Sequence, residues 1–292
     1  MDSSFPGIVP RDLPNATGQK RLLFPVPLPD NLPLPEKRPL PENHPPYLAM
    51  RFDQVVSSET NDLIIRAWDR MNELGVVFPD PDPTCNRSSS PALHLGVWEL
   101  YDEKPRVTSD SRNQSPEVVQ AIDDFLLIIQ QRIAPRLKNL LKEFCPQQHE
   151  LQMRYVFINF YLVLNNIYIY CRAHKRVQRR LHKEFKGRPA LDFGGPFFTV
   201  AVKEGSSENI HIDFNDFRHS VTWVVPLGDW TGGEFCAPQL GEKIPICPGQ
   251  VFGGLTGILA HCSAPVKQGR RIILTLFSDK FLMSHGLKKV RR

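Results

Sequence analysis

Apolar positions at helical spacing predict two helices in the first half of the chain. The first covers residues 58–74 and ends at Gly75, and its apolar face consists of Ile64, Ala67, Trp68 and Met71. The second begins at Ser115 and Pro116, and its apolar residues recur every three or four positions: Val118, Val119, Ile122, Phe125, Leu126, Ile129 and Ile133. Pro135 is expected to kink or divide this helix, because proline lacks the N–H of a helical hydrogen bond.

A third predicted helix, over residues 172–186, has a narrow apolar stripe and charged outer faces. The stripe recurs every four positions and consists of Ala173, Val177, Leu181 and Phe185. Between residues 171 and 188 there are eight Lys or Arg and one Glu, a local net charge of +7, while the whole chain carries +5, so the remainder sums to −2. Two interpretations follow: a solvated helix face, or a surface that binds phosphates in a salt-dependent manner.

Short apolar runs dominate the chain from Leu191 onward and predict strands. A further strand, LHLGVWELY, is predicted between the first two helices. The eight later runs are separated by Gly, Pro, Asn or Asp: FFTVAV, NIHIDF, SVTWVV, GEFCA, KIPIC, QVFGG, ILAHC and RIILTLFS. No helix is predicted between these eight runs, so they favour an antiparallel sandwich or barrel.

The proline distribution sets the first predicted boundary. Twelve of the 27 prolines fall in residues 1–50, and this density excludes a helix or a central strand. Residues 1–46 are therefore predicted to be an extended, mostly disordered arm, either a linker or a docking site for a proline-binding partner. Residues 47–190 are predicted to be a helical or mixed support region, followed by a strand-rich core over 191–283 and a basic tail over 284–292.

Composition excludes several classes of protein. A chain of 292 residues with 41% apolar residues can bury a core, so wholesale disorder and a collagen repeat are excluded. The six cysteines include no C-x-x-C pair, which argues against a disulfide scaffold and for a reducing compartment. We expect a soluble intracellular protein, because no secretory signal or 18-residue apolar stretch is present. The KKVRR tail and the basic helix favour the nucleus over the cytoplasm.

One segment, YVFINFYLVLNNIYIY (residues 155–170), matches nothing around it. It carries no charge and is dense in residue types with AT-rich codons. We hypothesise that residues 155–171 are a retained intron, since excision keeps the reading frame and fuses the flanking residues into one helix. The alternative is a buried hydrophobic strand.

Two histidines and one aspartate indicate a metal site. His211 and Asp213 lie two apart in a predicted strand, so their side chains leave the same face. His261 lies 50 residues further on, in another predicted strand. On adjacent strands these three side chains would form the facial triad of a non-haem Fe(II) oxygenase, which leaves positions open for substrate and dioxygen. The other reading is three unrelated polar residues.

A cation after His261 points to a cosubstrate. Arg270 and Arg271 open the run RIILTLFS, and an iron oxygenase that uses 2-oxoglutarate needs a bidentate partner for the distal carboxylate of that cosubstrate. The two arginines point to opposite faces of a strand, so only one of them serves, and their spacing alone does not choose between them.

The spacing of these motifs is similar to that of a known enzyme family. HID at 211, GGEF at 232, PGQVF at 248, AHCSAPV at 260 and GRRIILTLF at 269 resemble the core of Fe(II)/2-oxoglutarate dioxygenases, and the chain over about 190–282 resembles fungal members of the TET/JBP family, which oxidise methylated bases in DNA. The resemblance implies an α+β fold with a double-stranded β-helix (jelly-roll, cupin-like) core and N-terminal flanking helices. It also implies His211, Asp213 and His261 as iron ligands, and Arg271 as the 2-oxoglutarate residue.

The resemblance further implies the reaction and its partners. The expected reaction is hydroxylation of a C–H bond, most simply the methyl group of a 5-methylcytosine-class base in DNA, by Fe(II), 2-oxoglutarate and dioxygen, with release of succinate and CO2. Animal members carry histidine and asparagine after H-x-D-x, whereas this chain has Asn215 and Asp216, the candidate base contacts, so the preferred base stays open. DNA phosphates would be bound by the basic helix, through Arg176, Arg179, Arg180 and Lys183. The alternatives are a prolyl-hydroxylase-like or small-molecule oxygenase, and a catalytically silent DNA-binding or interaction module.

Overall fold

The strands form one large and one small antiparallel sheet. The computed structural model describes residues 13–16, 21–25, 44–80, 90–99, 105–153 and 172–287. Within these residues the large sheet has eight strands in the order β1-β2-β9-β6-β11-β5-β3-β4, and the small sheet has the order β10-β7-β8. The strands are Arg21–Pro25 (β1), Tyr47–Phe52 (β2), Leu93–Trp98 (β3), Arg106–Val107 (β4), Thr199–Glu204 (β5), Thr222–Gly232 (β6), Phe235–Ala237 (β7), Glu242–Ile244 (β8), Val251–Gly254 (β9), Cys262–Ser263 (β10) and Val266–Phe277 (β11).

Apart from a helical run over residues 146–153, six helices flank these sheets among the described residues. They are Ser58–Glu73 (α1), Ser109–Arg112 (α2), Pro116–Ile128 (α3), Ala134–Phe144 (α4), Arg172–Gly187 (α5) and Lys280–Leu287 (α6). None of the helices in the described part of the chain is long and apolar enough to cross a membrane. Together with the large antiparallel sheet, they make a mixed helix and sheet fold, as the sequence predicts.

The predicted helices are confirmed, and their ends have local causes. Ser57 caps α1, because its side-chain oxygen accepts the backbone N–H of Thr60 at 3.2 Å. Ser115 caps α3 in the same way, and Pro116 follows at the first turn. A π-helical segment, Ile129–Ile133, separates α3 from α4, and Pro135 lies at the start of α4, so the expected division of this helix is confirmed.

Two of the eight predicted strands are mostly wrong. Residues 209–214 form only an isolated bridge at His211, since the chain turns after Asp213, where the N–H of Asp216 donates to the Asp213 carbonyl at 3.0 Å. Residues 258–262 contribute only Cys262 to a strand, because Ile258 and Leu259 bond back to Leu255 in a turn. The chain leaves the ladder at the positions where side chains must converge on the candidate site.

Two described stretches of the predicted arm over residues 1–46 pair with the folded part of the chain. Arg21–Pro25 pairs with β2 as an edge strand, and the N–H of Ala16 donates to the Lys243 carbonyl at 2.7 Å. An edge strand tolerates proline, because one side of it makes no ladder hydrogen bonds. The apolar run at Leu22 and Leu23 packs against the core, which supplies the free energy for this order.

The large sheet draws strands from both sides of the predicted boundary at residue 190. β2 pairs with β9, and β3 pairs with β5, so the predicted support region contributes strands to the same sheet as the predicted core. One hydrophobic cluster joins the helices to this sheet, with Trp68 on α1, Phe125 on α3 and Trp223 on β6 among its buried side chains. The hypothesised insert at 155–171 and the KKVRR tail lie outside the described residues.

Candidate metal centre and its cavity

His211, Asp213 and His261 meet at one point of the fold. The two histidines form a backbone bridge, in which the N–H of each donates to the carbonyl of the other at 3.0 and 2.9 Å. The Asp213 carboxylate faces both rings, with Oδ1 3.8 Å from His211 Nε2 and Oδ2 3.5 Å from His261 Nε2. One ligand atom from each residue lies within 4.8 Å of the others, which is compatible with coordination of a single metal ion.

Hydrogen bonds behind the two rings orient them for coordination. His211 Nδ1 lies 2.8 Å from the Asn209 carbonyl, and His261 Nδ1 lies 2.9 Å from the Leu259 carbonyl. A carbonyl accepts a hydrogen bond, so each Nδ1 carries the proton and each Nε2 presents its lone pair toward Asp213. Two imidazole nitrogens and one carboxylate are the donor set of a non-haem Fe(II) site, so these residues fit that metal.

The side chains of Arg270 and Arg271 point to opposite faces of β11, as expected for adjacent residues of a strand. Arg270 points outward, where it donates to Glu204 at 2.8 Å and to Asp69 at 2.6 Å. Arg271 points inward, is only 3% exposed, and lines the same cavity as the three candidate ligands. Of the two arginines, Arg271 is the one that lines the cavity, which is compatible with the role that the family resemblance implies.

The Arg271 guanidinium lacks an anionic partner among the described residues. Its Nη1 donates to the Gly205 carbonyl at 3.3 Å, and its Nε has no hydrogen-bond partner there. Burial lowers the pKa of Arg271 to about 10. Gly233 packs so closely on this side chain that an added Cβ would lie 2.9 Å from Nε. A buried cation in a narrow cradle fits the distal carboxylate of a dicarboxylic acid.

The cavity has a volume of about 800 Å³ and follows β11. Alternate residues of that strand line it: Arg271, Ile273, Thr275 and Phe277. Arg271 therefore lies at one end of the row, and Phe277 lies at the other, about 20 Å away at the usual rise of a strand. The cavity is long enough to hold a cosubstrate and part of a substrate side by side.

The Phe277 end of the cavity is aromatic and acidic. The His94 ring lies 5.2 Å from the ring of Trp98 and 6.5 Å from that of Phe277, measured between centroids. Asp279 is 3% exposed and accepts backbone N–H groups of Glu99, Phe281 and Leu282. Burial raises the pKa of Asp279 to about 7, so the protonated and ionised forms of this carboxyl are both populated near neutral pH.

The two candidate base contacts differ in their surroundings. Asp216 is buried in the cavity wall, where Oδ2 accepts the hydroxyls of Thr222 at 2.6 Å and Thr256 at 3.1 Å. These two bonds hold its carboxylate in one orientation. Asn215 is exposed, and its side-chain oxygen accepts from Lys280 Nζ at 3.2 Å. Of the two, Asp216 is the more rigid acceptor.

The basic helix α5 docks on the protein through its apolar stripe. Leu181 is buried and Phe185 packs against the core, as the spacing predicts. Lys183 is exposed, and Arg180 Nε lies 3.0 Å from the Glu184 carboxylate. The side chains of Arg176 and Arg179 lie outside the described residues.

Sequence reasoning missed several polar residues that line the cavity. Lys203, His94 and Asp279 all line it. Lys203 interrupts an apolar run on β5, and a charged residue there was the one available signal. His94 and Asp279 carried no such signal, because their cavity position depends on how distant strands pair.

Comparison with solved structures shows which fold this is. No protein-family model and no curated protein matches the sequence. The structure of NgTET1 in complex with 5mC DNA matches with a TM-score of 0.52 at 15% identity, and the match covers 82% of this chain and 74% of that chain. In fold, the chain resembles a TET/JBP-type oxygenase.

Two bacterial structures match less well. An oxidoreductase of the 2OG-Fe(II) oxygenase family from Burkholderia pseudomallei has a TM-score of 0.37 at 13% identity, covering 80% of this chain and 84% of that chain. A prolyl-4-hydroxylase from Pseudomonas putida has a TM-score of 0.36 at 12% identity, covering 79% of this chain and 92% of that chain. The fold assignment therefore rests on NgTET1.

Proposed function

We propose that the protein is an Fe(II)/2-oxoglutarate-dependent dioxygenase that hydroxylates the methyl group of a 5-methylcytosine-class base in DNA. One observation carries the proposal. The same cavity is lined by the candidate metal ligands His211, Asp213 and His261 and by the buried cation Arg271. The fold likeness to NgTET1 supports it. The catalytic core is a double-stranded β-helix over about residues 191–283.

Different residues of the cavity bind the iron and the 2-oxoglutarate. His211 and His261 bind the iron through Nε2, and Asp213 binds it through a carboxylate oxygen. Arg271 binds the distal carboxylate of 2-oxoglutarate, and Gly233 leaves the space for that guanidinium. When bound, iron and 2-oxoglutarate supply the oxidation of a substrate C–H bond by dioxygen, which yields an alcohol, succinate and CO2. Apolar side chains that line the cavity, among them Val224, Phe235 and Ile273, exclude water from this reaction.

The Phe277 end of the cavity receives the base. The Asp216 carboxylate, held by Thr222 and Thr256, accepts the exocyclic amino group of cytosine. In its protonated form the Asp279 carboxyl donates to an acceptor on the base edge, and His94 with Trp98 provides a flat wall. A donor facing one edge atom and an acceptor facing another favour cytosine over thymine, which has no exocyclic amino group.

The basic helix α5 offsets the cost of base extrusion. A methyl group inside a duplex reaches the iron only if the base leaves the stack, which costs a few kcal/mol. Arg176, Arg179, Arg180 and Lys183 bind the DNA backbone phosphates and so hold the duplex against the cavity. The bound partner of NgTET1 in its solved complex is 5mC DNA, and this supports DNA as the substrate class.

The test is oxidation of methylated DNA. The protein is incubated with Fe(II), 2-oxoglutarate, dioxygen and a 5-methylcytosine duplex, and the nucleosides are then quantified by mass spectrometry. We expect hydroxymethylcytosine and stoichiometric succinate from the wild type, and neither product from His211→Ala. His44→Ala, which changes a histidine outside the cavity, serves as the matched control and retains activity.

The outcome distinguishes three classes of protein. Succinate without any oxidised base, followed by a product in a panel of peptides and small molecules, would identify a prolyl-hydroxylase-like or small-molecule oxygenase. DNA binding without iron binding or succinate release would identify a silent DNA-binding module. Either result would refute the proposed substrate, and the second would also refute the proposed chemistry.

A further inference from the structure

Lys203 lies beside Arg271 at one end of the cavity. Lys203 is opposite Ile273 in the pairing of β5 with β11, and Arg271 lies two residues from Ile273 on β11. Opposite residues and residues two apart on a strand share a face, so all three side chains project into the cavity they line. Diagonal neighbours of this kind lie about 7–8 Å apart at their backbones, within reach of two long side chains.

Neighbouring neutral oxygens accept hydrogen bonds from both cations. Lys203 Nζ donates to the Ser206 carbonyl at 2.6 Å and to the Ser207 hydroxyl at 3.0 Å. Arg271 donates to the Gly205 carbonyl. These acceptors all belong to residues 205–207, which follow β5, so one loop turns both cations toward the same region.

Each cation is costly to bury next to the other. Burial lowers the pKa of Lys203 to about 8, and the charge of Arg271 lowers it further, against a smaller opposing effect of Glu208. Glu234 favours the charged form of Arg271, but burial outweighs it. Two like charges at one end of a cavity are stabilised by an anion that enters between them.

We propose that Lys203 is a second cation for the distal carboxylate of 2-oxoglutarate and that it binds this group together with Arg271. The inference rests on the proposed function, because it names how that function's cosubstrate is held. A guanidinium engages a carboxylate through a planar fork, whereas an ammonium adds a compact charge to one oxygen. The two cations therefore select a dicarboxylate over a monocarboxylate of the same length.

The experiment measures 2-oxoglutarate binding without turnover. The protein is loaded with Mn(II) in place of Fe(II) under anaerobic conditions, and the dissociation constant is obtained by calorimetry. We expect Lys203→Met to weaken 2-oxoglutarate binding about tenfold or more, because a charge-assisted hydrogen bond is lost. Lys203→Arg keeps most of the affinity. Lys267→Met changes an exposed lysine on β11 outside the cavity and leaves the affinity unchanged.

A second ligand separates charge recognition from a change of shape. 2-Oxopentanoate has the same carbon chain but ends in a methyl group where 2-oxoglutarate has its distal carboxylate. The wild type binds it more weakly, and Lys203→Met weakens it no further. An equal loss for both ligands, or an unchanged affinity of a folded Lys203→Met for 2-oxoglutarate, would overturn the inference and leave the proposed function standing. A wild type that binds Mn(II) but not 2-oxoglutarate would instead overturn the proposed function.

Discussion

At the scale of single residues, Gly233 determines where the Arg271 guanidinium lies. Its φ is +68°, and a Cβ added there would lie 2.9 Å from Nε and 3.0 Å from Cδ of Arg271. Gly233→Ala is therefore expected to displace the guanidinium and to weaken 2-oxoglutarate binding about tenfold or more in the Mn(II)-loaded protein. Calorimetry with the Mn(II)-loaded variant measures the change.

Gly194 provides the matched control for this substitution. Its φ is +67°, and nothing lies within 4 Å of an added Cβ. Gly194→Ala carries the same backbone strain, about 1–2 kcal/mol in the free energy of unfolding, without a clash. Equal 2-oxoglutarate affinities for the two variants would show that Gly233 has no part in the cradle.

Asp279 gives the folded chain a distinct pH dependence. Burial raises the pKa of this carboxyl from 3.8 to about 7, so the folded chain binds the proton more tightly than the unfolded chain does. The contribution of Asp279 to stability is therefore complete below about pH 4 and is lost as the pH rises through about 7. The difference amounts to about 4 kcal/mol in the free energy of unfolding.

Urea unfolding between pH 4 and 7.5 tests this dependence. Asp279→Asn keeps an amide oxygen for the N–H groups of Phe281 and Leu282, and it removes the titration. We expect the wild type to lose more stability than Asp279→Asn as the pH rises. Asp229→Asn, which changes an exposed carboxyl on β6, keeps the wild-type slope. Identical slopes for wild type and Asp279→Asn would contradict the prediction.

Residue types predicted the candidate metal site better than they predicted the pocket around it. His211, Asp213 and His261 were predictable because few side chains bind iron and because their family spacing is distinctive. The proposed roles of Lys203 and Asp279 had little or no signal in the sequence, since lysine and aspartate are common on surfaces. Only the pairing of β5 with β11 and the bridge between Asp216 and Asp279 bring them to the cavity.

At the scale of elements, α5 is the proposed DNA contact. Positions 176, 179 and 180 are three and four apart, so they share one face of this helix. Reversing these three charges is expected to weaken DNA binding and to reduce the slope of log affinity against log salt by about 3, close to 0.9 for each phosphate that is no longer neutralised. Succinate release in the absence of DNA remains unchanged.

The matched control reverses three arginines elsewhere on the surface. Arg66 and Arg70 on α1 and Arg132 near the end of the π-helical segment are exposed. Changing all three to glutamate alters the net charge by the same amount as the α5 variant. Fluorescence anisotropy across a salt series compares the two triple variants. Equal losses of affinity would mean that DNA binding depends on the net charge of the protein and not on α5.

Helices were predicted more accurately than strands, for a physical reason. The caps and the apolar stripe of α1 involve only residues that are close together in the sequence. The bounds of this 16-residue helix can therefore be predicted from its own sequence and that of its flanks. The turn after Asp213 depends on a hydrogen bond from the Asp213 N–H to the Thr256 carbonyl at 3.0 Å. Thr256 lies 43 residues further along the chain. The alternation of apolar and polar residues predicted a strand there, but this long-range hydrogen bond holds the chain in a turn instead.

At the scale of the whole molecule, the site lies where distant parts of the chain meet. β3 brings His94, β5 brings Lys203, and β11 brings Arg271 to one cavity, although a predicted domain boundary separates the first from the others. Strand pairing joins these elements side by side in the sheet. The positions of these three side chains therefore depend on the large sheet as a whole.

Arg270 and Arg271 are expected to have opposite effects on stability and on binding. Arg271→Met removes a buried cation that lacks an anionic partner among the described residues, so it should stabilise the ligand-free protein by about 2–3 kcal/mol while abolishing 2-oxoglutarate binding. Arg270→Met breaks the partly exposed pairs with Glu204 and Asp69, so it should cost at most about 1 kcal/mol and leave 2-oxoglutarate binding intact.

Adding ligand should reverse the order of stability. At 2-oxoglutarate concentrations about 100 times the dissociation constant, binding adds about 2.7 kcal/mol to the free energy of unfolding of the wild type and nothing to that of Arg271→Met. Urea unfolding with Mn(II), with and without 2-oxoglutarate, measures both effects. An Arg271→Met variant that is less stable than wild type without ligand would mean that this arginine mainly supports the fold. The expected reversal would mean that the fold tolerates a destabilising buried charge because the cosubstrate requires it.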